Sequence, residues 1–546
     1  MPSLNGILSI AGTGLNASQE ALDVTSHNIA NVNTPGYTRQ RAVLRARDPL
    51  VFGGMYFGTG VEVSGVERVY DRFIGVQLND ARSGFSANTS RAGVLQDLEG
   101  ILNDLGGTGL SKPLDDFFNS FEELSTDPSS RPARQAVLSS GAVLGDAFTN
   151  MDTRLRRDIS NVNSEIRGIV KEINNLTAEV AHLNGQIQGL EINGASSNDL
   201  KDKRDEVLGE LAGKIGITTI ESESGVVDVM TDGGLSLVSG LTHSTLSVAA
   251  DKDNSLLTTV TYNGADLTST ITTGELGGYL HGRADLVSAL HSLNLLAASV
   301  TKEVNVQHRA GYGLDSSTGL DFFSPMIVET TKKSQNTGGA LISGGTITDP
   351  SALTLDDYEI RFSGPLDYVV VNTGTNAVVK KGTYTSGSAI TFDGLSVTIA
   401  DGATGPVGGD TFGISVTNSA AMHISVSLSD PSEVAASGTS TGLPGDNSNA
   451  LALSALRDKT AVNGSTFSAY YQGLVAEVGT KANETGNNLS VSEAVVSQLE
   501  FQRDSVSGVS MDEETVNMIK LQKAFEASAR LMTTVDKMFD TLLSIR

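Results

Sequence analysis

Eleven apolar residues, Leu155, Ile159, Val162, Ile166, Ile169, Ile173, Leu176, Val180, Leu183, Ile187 and Leu190, follow one another at strictly alternating spacings of four and three. Only an α-helix gathers such positions on one side, and the side it makes is a narrow apolar seam. A helix of that length with one seam has to lie along other helices. Two further segments carry matching stripes: Leu286, Leu290, Leu293, Ala297, Val300 and Val304, then Phe467, Tyr471, Leu474 and Val478. Together they predict a rod-like helical bundle assembled from stretches far apart in the chain.

The two ends repeat the pattern more weakly. Leu4, Leu8, Ala11, Leu15, Ser18, Leu22, Thr25 and Ile29 form one stripe; Leu521, Ala524, Ser528, Leu531, Val535, Met538, Leu542 and Ile545 form the other, with Phe525, Met532 and Phe539 beside it. Ser510 and Glu513 have the spacing of a capping box opening the last helix. Neither stripe has enough sequence around it to bury it. The terminal helices therefore pair with each other, with copies of themselves or with a partner; the plainer alternative is two core helices of one globule.

Between the helices the period changes. Short β-like runs occupy 226 to 230, 235 to 238 and 256 to 262, with Asp232-Gly233 as a hairpin signal. A second set, 358 to 362, 368 to 371 and 390 to 399, the last broken by Asp393-Gly394, lies in a block from 339 to 416. Residues 436 to 450 form a polar Gly/Ser/Asn loop leading back to helix. The fold class expected is mainly α with inserted β, in nested discontinuous domains. A terminal coiled-coil domain comprises 1–60 plus 505–546, a helical bundle comprises 61–338 plus 417–504 with a small β part near 216–264, and an outer β-rich domain comprises 339–416.

Charge and motifs narrow the chemistry. A net charge of -25 over 546 residues argues against nucleic acid, whose binders need a basic surface to displace counterions, and against anionic lipid. With no cysteine, no disulfide, thiolate nucleophile or thiolate-held metal is available. The start lacks the basic region and apolar run of a cleavable signal peptide, and no stretch approaches the ~20 apolar residues of a membrane span. Gly12-Thr13-Gly14-Leu15-Asn16-Ala17 spells a dinucleotide fingerprint, but no strand precedes it and the heptads run through it. Gly438-Thr439-Ser440-Thr441-Gly442 spells a nucleophile elbow inside a polar loop, without the strand and helix that such an elbow needs. The seven histidines are scattered, with no close ligand pair. Asp512, Glu513 and Glu514 suit the first turn of a helix. No catalytic, cofactor or metal site is expected. Arg39, Arg41, Arg45 and Arg47 fit one face of an extended strand, either solvated or set against an acidic partner.

The stretch "SHNIANVNTPGYTRQR", residues 26 to 41, reads as an elbow. Thr34-Pro35-Gly36-Tyr37 suits a type II turn, with Pro fixing one φ and Gly accepting a positive one. The turn stops the first helix after Ile29, and His27 and the asparagines fall where side chains bond to backbone. This stretch resembles the N-terminal signature of bacterial flagellar rod, hook and hook-associated proteins, and "SVSGVSMDEETVNMIKLQKAFEASARLMTTVDKMFDTLLSIR" resembles their terminal helix. Three internal stretches, "GLSKPLDDFFNSFEELSTDPSSRPARQAVL" (109 to 138), "NDLKDKRDEVLGEL" (198 to 211) and "VNVQHRAGYGLDSSTGLDFF" (304 to 323), narrow the resemblance. They are similar to the hook-associated members, and among these to the one that begins the junction between hook and filament.

The resemblance implies a non-enzymatic structural protein of the extracellular flagellum. It implies export through the flagellar type III apparatus with an uncleaved signal, and self-assembly as a ring within a helical lattice. The implied neighbours are the hook protein and the second hook–filament junction protein. Assembly would run through the coiled-coil residues Leu4, Leu8, Leu15, Leu22, Ile29, Leu521, Phe525, Leu531, Val535, Met538 and Leu542. Asn31, Asn33, Pro35, Gly36, Tyr37 and Arg39 of the elbow would add a subunit contact. An export chaperone would bind Leu521, Phe525, Met532, Phe539 and Leu542. Within the same class the alternative is a hook or distal rod protein, against which the heptads of 155 to 190 speak. Outside it stand a secreted β-domain adhesin and a rod-associated muramidase.

Overall fold

The computed structural model describes residues 4–52, 54–103, 109–193 and 195–544, and its two terminal helices pack on each other. Helix α1 spans Leu4–Ala30. Its buried stripe is of small residues, Ala11, Ser18, Ala21, Thr25 and Asn28, with Gly14 in the same row. The last helix, Met511–Ser544, runs antiparallel to it: Gly12 faces Met532, Gly14 faces Ser528 and Asn28 bonds Glu514. That helix presents Leu521, Phe525, Ser528, Met532, Val535 and Phe539 to the pair, all half-buried or buried, while Ala524, Leu531, Met538 and Leu542 are exposed. The seam thus sits one position round from the one expected. The reason is steric: small residues on α1 leave room for Phe525, Met532 and Phe539, which bury more area than Ala524 and Leu531 could. Leu4, Leu8, Leu15, Leu22 and Ile29 flank the stripe, half-buried, and Ile545 lies outside the described residues.

After α1 a twisted ribbon forms. Strand β1 (Gln40–Ala46) pairs antiparallel with β4 (Val61–Arg68), and β2 (Leu50–Phe52) with β3 (Met55–Phe57) makes a hairpin between them. Helix α2 (Arg72–Leu102) then starts on Asp71, whose carboxylate accepts from Phe73 N and Ile74 N. α3 spans Ser111–Thr126, α4 Arg131–Ile192, α5 Asn198–Lys214 and α6 Gly274–Arg309. The short α7 (Ala420–His423) and α8 (Ser448–Ala455) precede α9 (Phe467–Ser507), and Met511–Ser544 is α10. α2 and the distal part of α9 form an antiparallel stem, tied by Arg82–Glu500 at 2.7 Å and Asn88–Ser492 at 2.9 Å. α3, α4, α5, α6 and the start of α9 build the bundle.

The α4 seam is buried or half-buried from Leu155 to Ile187, and Leu190 is exposed. The helix begins 24 residues before that run, at Arg131. There the seam continues through Val137, Gly141, Leu144, Phe148 and Met151. Gly141 hid it from the pattern: a Cβ there would stand 2.7 Å from Phe322 Cε1, so the glycine admits the ring. Phe322 belongs to a buried aromatic cluster with Phe117, Phe118, Phe121, Phe323 and Phe467, whose neighbouring centroids lie 4.9–5.7 Å apart. Phe117, fully buried, contacts four of the other rings. Phe117→Ala should cost about 3–5 kcal/mol, read as a lowered denaturation midpoint of the bundle.

His308, at the end of α6, is buried with both nitrogens used: Nδ1 donates to the Leu320 carbonyl at 2.7 Å and Nε2 accepts from Ala435 N at 2.9 Å. Burial holds its pKa down at about 4, against an ordinary 6.5. Above pH 6.5 neither the folded nor the unfolded chain protonates it, and its full contribution to stability is present. Between pH 6.5 and 4 only the unfolded chain takes the proton, so stability falls with pH, by on the order of 3 kcal/mol below pH 4. Urea unfolding from pH 7 to 4 should show that loss in the wild type and not in His308→Gln; parallel curves would refute it.

Three β regions leave the bundle, the smallest a three-stranded sheet ordered Ala265–Asp266, Thr258–Tyr262, Ser247–Ala250. A meander of Ile217–Glu221, Val227–Thr231, Ser236–Ser239 and Thr242–His243 packs on α4. It is held there by Asn184, whose carboxamide bonds both Val227 N and Val227 O. The outer region has its own core, running from Val328 to Val416. Its five-stranded sheet is ordered Glu329–Lys332, Thr411–Ser415, Tyr358–Phe362, Asp367–Asn372, Val378–Thr383; the facing sheet holds Leu341–Ile347, Leu395–Ala400 and Ala389–Phe392. The core therefore opens at Val328, ahead of residue 339, because Glu329–Lys332 is an edge strand on Thr411–Ser415. Asp393 (φ 39°) and Gly394 (φ 75°) turn the last hairpin, both in the left-handed region that a type I′ turn requires.

A candidate assembly node at the chain elbow

α1 ends where its sequence stops supplying helix. The turn after it closes with Tyr37 N donating to the Thr34 carbonyl at 3.3 Å, and Gly36 takes φ +76°, as a type II turn requires. Asn28, 1 % exposed, holds the two arms of the elbow together. Its Oδ1 accepts from Gln40 N (2.9 Å) and from the Tyr37 hydroxyl (2.8 Å); its Nδ2 donates to the Gln40 carbonyl (2.8 Å) and to Glu514 Oε2 (3.2 Å). Tyr37 spends its one proton on Asn28, so His27 Nδ1, 3.0 Å from the same hydroxyl, is the donor there. Burial first, then Asp199, Asp202 and Glu514, push the Tyr37 phenol far above its ordinary pKa, which keeps it a neutral donor.

Arg39 spans the break between α9 and α10. Its backbone N donates to the carbonyl of Ser507 at 2.9 Å; its side chain donates to Glu514 (Nε, 2.8 Å) and Glu513 (Nη1, 3.0 Å). Glu514 is only 2 % exposed. Ser510 caps α10 through its hydroxyl and Glu513 N at 3.5 Å, but Glu513 turns its carboxylate to Arg39, so only half of the expected capping box forms. On the other side α5 supplies a row of acids. Asp202 accepts from Thr38 N (2.9 Å) and Arg68 (2.7 Å), Asp205 accepts from Arg68 (2.9 Å), and Asp199 from Gln40 Nε2 (2.8 Å). Burial opposes the charge of Arg68, yet Asp205 and Asp202 outweigh it and its pKa rises; the guanidinium also lies 4.7 Å over the Tyr70 ring. Three stretches singled out in the sequence, the elbow, 198 to 211 and the opening of the last helix, thus meet at one polar node. Beside it runs an open groove of about 1060 Å3 lined by side chains of both signs, among them Arg72, Arg503 and Glu206.

The expected elbow contacts divide. Asn31 serves locally, its Nδ2 donating to the His27 carbonyl at 3.0 Å. Tyr37 bonds Asn28 and His27 through its hydroxyl, and Arg39 bonds Glu514 and Glu513 of α10, so both use their polar groups within the chain. Asn33, Pro35 and Gly36 remain exposed. The arginine ribbon is likewise matched across its own sheet: Arg41 to Glu67 (3.6 Å), Arg45 to Glu62 (3.1 Å) and Arg47 to Glu62 (3.4 Å). Arg68, Asp202 and Asp205 were not singled out from sequence, and Asn28 and Glu514 were read only as a local partner of the backbone and a first-turn acid; the one available sign of the node was Asp199, Asp202 and Asp205 on one face of a helix, opposite an arginine-rich stretch. Gly12 to Ala17 lies inside α1, and Gly438 to Gly442 lies in a loop fastened by Asp446, which accepts from Ser437 Oγ at 2.8 Å and Gly438 N at 2.7 Å.

Comparison with known proteins agrees with this layout. Residues 8–38 match the family model "Flagella basal body rod protein" and 490–545 the model "Flagellar basal body rod FlgEFG protein C-terminal". Residues 95–323 match "Flagellar hook-associated protein FlgK helical domain" and 331–416 match "Flagellar hook-associated protein 1, D2-like domain". Terminal helices of the rod type closing around an inserted middle define the class: an axial structural protein of the bacterial flagellum. Flagellar hook-associated protein 1 of Escherichia coli strain K12 is 32 % identical over 100 % of both chains, and that of Salmonella typhimurium strain LT2 is 33 % identical over 100 % of both. That of Bacillus subtilis strain 168 is 30 % identical over 98 % of this chain and 97 % of its own. The chain belongs to the flagellar hook-associated protein 1 family. The fold is also that of the flagellar hook junction protein FlgK from Burkholderia pseudomallei, with a TM-score of 0.68 at 21 % identity over 79 % of this chain and 100 % of that one.

Proposed function

We propose that this chain polymerises at the distal end of the hook and connects hook to filament, without catalysing a reaction. The observation that carries the reading is the terminal pair. α1 covers one side of α10, while Leu531, Met538, Leu542 and Leu543 stand exposed on it. An apolar row of that kind in an extended helix pair calls for neighbours. Copies meeting through unlike surfaces propagate along a lattice instead of closing into a dimer. In this reading the helix pair lines the inner tube, the bundle forms the next shell and the β unit faces outward. The hook protein lies below the ring and the second junction protein above it.

The same reading covers export. Leu521, Phe525, Met532 and Phe539 meet α1 in the folded chain; before assembly, with the helices apart, they and Leu542 offer an export chaperone its apolar face. Transit is through the flagellar type III apparatus. The test is genetic and microscopic. Cells lacking the chain should build hooks without filaments and shed filament subunits; full-length chain should restore filaments, and gold-labelled antibody should mark the distal hook end. Label along the rod, or peptidoglycan turnover by the purified protein, would overturn the reading.

A further inference from the structure

The outer β unit is joined to the bundle by little. The chain crosses between them twice, at 324–328 and 416–419, both outside helix and strand. Each side has its own apolar core. Among the described residues only two half-buried side chains, Met326 and Leu355, pack against both cores. Met326 lies on a crossing itself; Leu355 lies inside the unit, between the turn Pro350–Ala352 and the strand Tyr358–Phe362. That turn rests against α6. A single hydrogen bond and no ion pair join 329–415 to the bundle among the described residues: Ser334 N donates to Asp253 Oδ1 at 2.7 Å. Asp253 belongs to the turn between Ser247–Ala250 and Thr258–Tyr262. A joint so small leaves a domain free to move as a body unless something holds it.

Leu355 also stands in a backbone conformation that leucine avoids. Its φ is +64°, in the left-handed region, where the Cβ of an L-residue crowds the following carbonyl oxygen. The other non-glycine residues of positive φ in the described chain are Asn263, Ser316, Asn376, Asp393 and Asn463. All are short polar residues of the kind that tolerate this region in turns. Leucine has no such compensation. A residue held in a sparsely populated region persists only where its surroundings over-determine it. What surrounds Leu355 is the pair of cores that it bridges.

We infer that Leu355 is a sprung latch: it docks the outer β unit on the bundle, and the unit swings about 324–328 and 416–419 when the latch lets go. The inference concerns one chain and stands whatever that chain assembles with. Undocked, Leu355 returns to negative φ, so backbone strain opposes docking and the joint opens readily. Hydrogen exchange of the full-length protein tests this. The Ser334 amide reports the joint; the amides of Tyr358–Phe362 and Asp367–Asn372 report the unit's own fold. Leu355→Asn is the informative variant. Asparagine already takes the left-handed conformation at Asn263, Asn376 and Asn463, so it keeps the turn and removes only the apolar contact. It should speed exchange at Ser334 by about tenfold or more and leave the two strands unchanged. Leu355→Met, which keeps an apolar side chain, should stay within about threefold of the wild type. A residue that only shapes the turn makes the opposite prediction, since asparagine would then be neutral or stabilising. Unchanged Ser334 exchange in Leu355→Asn therefore overturns the inference. Equal acceleration in the two strands also overturns it, because Leu355 would then support the unit's own fold. So does a Ser334 amide that is already unprotected in the wild type, since no docked state would exist to be latched.

Discussion

A chain ending at residue 504 is expected to fold its bundle and its outer β unit normally and to fail completely to enter the flagellum. Neither apolar core contains a residue from 505 onward, and neither contains one from α1. The bundle should therefore melt within about 2 °C of the full-length protein, since a loss of 1 kcal/mol shifts a chain of this kind by only a few degrees. α1 would fare differently. Its buried stripe of Ala, Gly, Ser and Thr offers little apolar area, and the large side chains of the seam, Phe525, Met532 and Phe539, all come from α10. Without them α1 is a helix with no packed face, which water does not hold. The first 30 residues should become the first site of trypsin or subtilisin cleavage, and the exposed row of Leu531, Met538 and Leu542 would be missing from the lattice. A truncated chain that still restores filaments to deficient cells would overturn this account.

What could be read from the sequence follows from how each contact is made. The centre of α4 was plain because branched side chains repeat there without interruption. Its first 24 residues were not, because Gly141 replaces a side chain with an approaching Phe322 ring. α2 escaped for a related reason: at Gly278 of α6 a Cβ would fall 2.2 Å from the Ala87 carbonyl oxygen. The helices meet there through backbone and small residues, which leave no hydrophobic period. On α10 the period was right and its phase was off, since phase depends on the shape of the partner helix. The outer strands Tyr358–Phe362 and Asp367–Asn372 were legible from alternation, whereas Val61–Arg68, with Glu62, Ser64, Gly65 and Glu67 in it, was not. The node was least legible. Arg39 and Glu514 are 475 residues apart, and Thr38 and Asp202 are 164 apart; charge alone does not say which acid meets which base.

The node nevertheless supports a sharp prediction: Arg39→Ala should loosen the terminal pair far more than Glu513→Ala. Both glutamates bond the same guanidinium, at 2.8 Å for Glu514 and 3.0 Å for Glu513, but their settings differ. Glu513 is largely in water, where such a pair contributes about 0–1 kcal/mol. Glu514 is buried, and removing its cation leaves a carboxylate held by Asn28 and little else, a change that costs about 3–5 kcal/mol where a buried pair is broken from one side. Arg39→Met with Glu514→Leu removes both charges together and should recover most of that loss, since a buried pair replaced by apolar groups is often neutral. Hydrogen exchange in the first turns of α10, and cleavage at residues 508 to 510, are the measurements. Arg39→Ala should raise both by at least tenfold, Glu513→Ala by less than fivefold, and the double variant should lie near the wild type. Equal effects of Arg39→Ala and Glu513→Ala would mean that Glu514 does not anchor α10, and that the elbow only bends the chain.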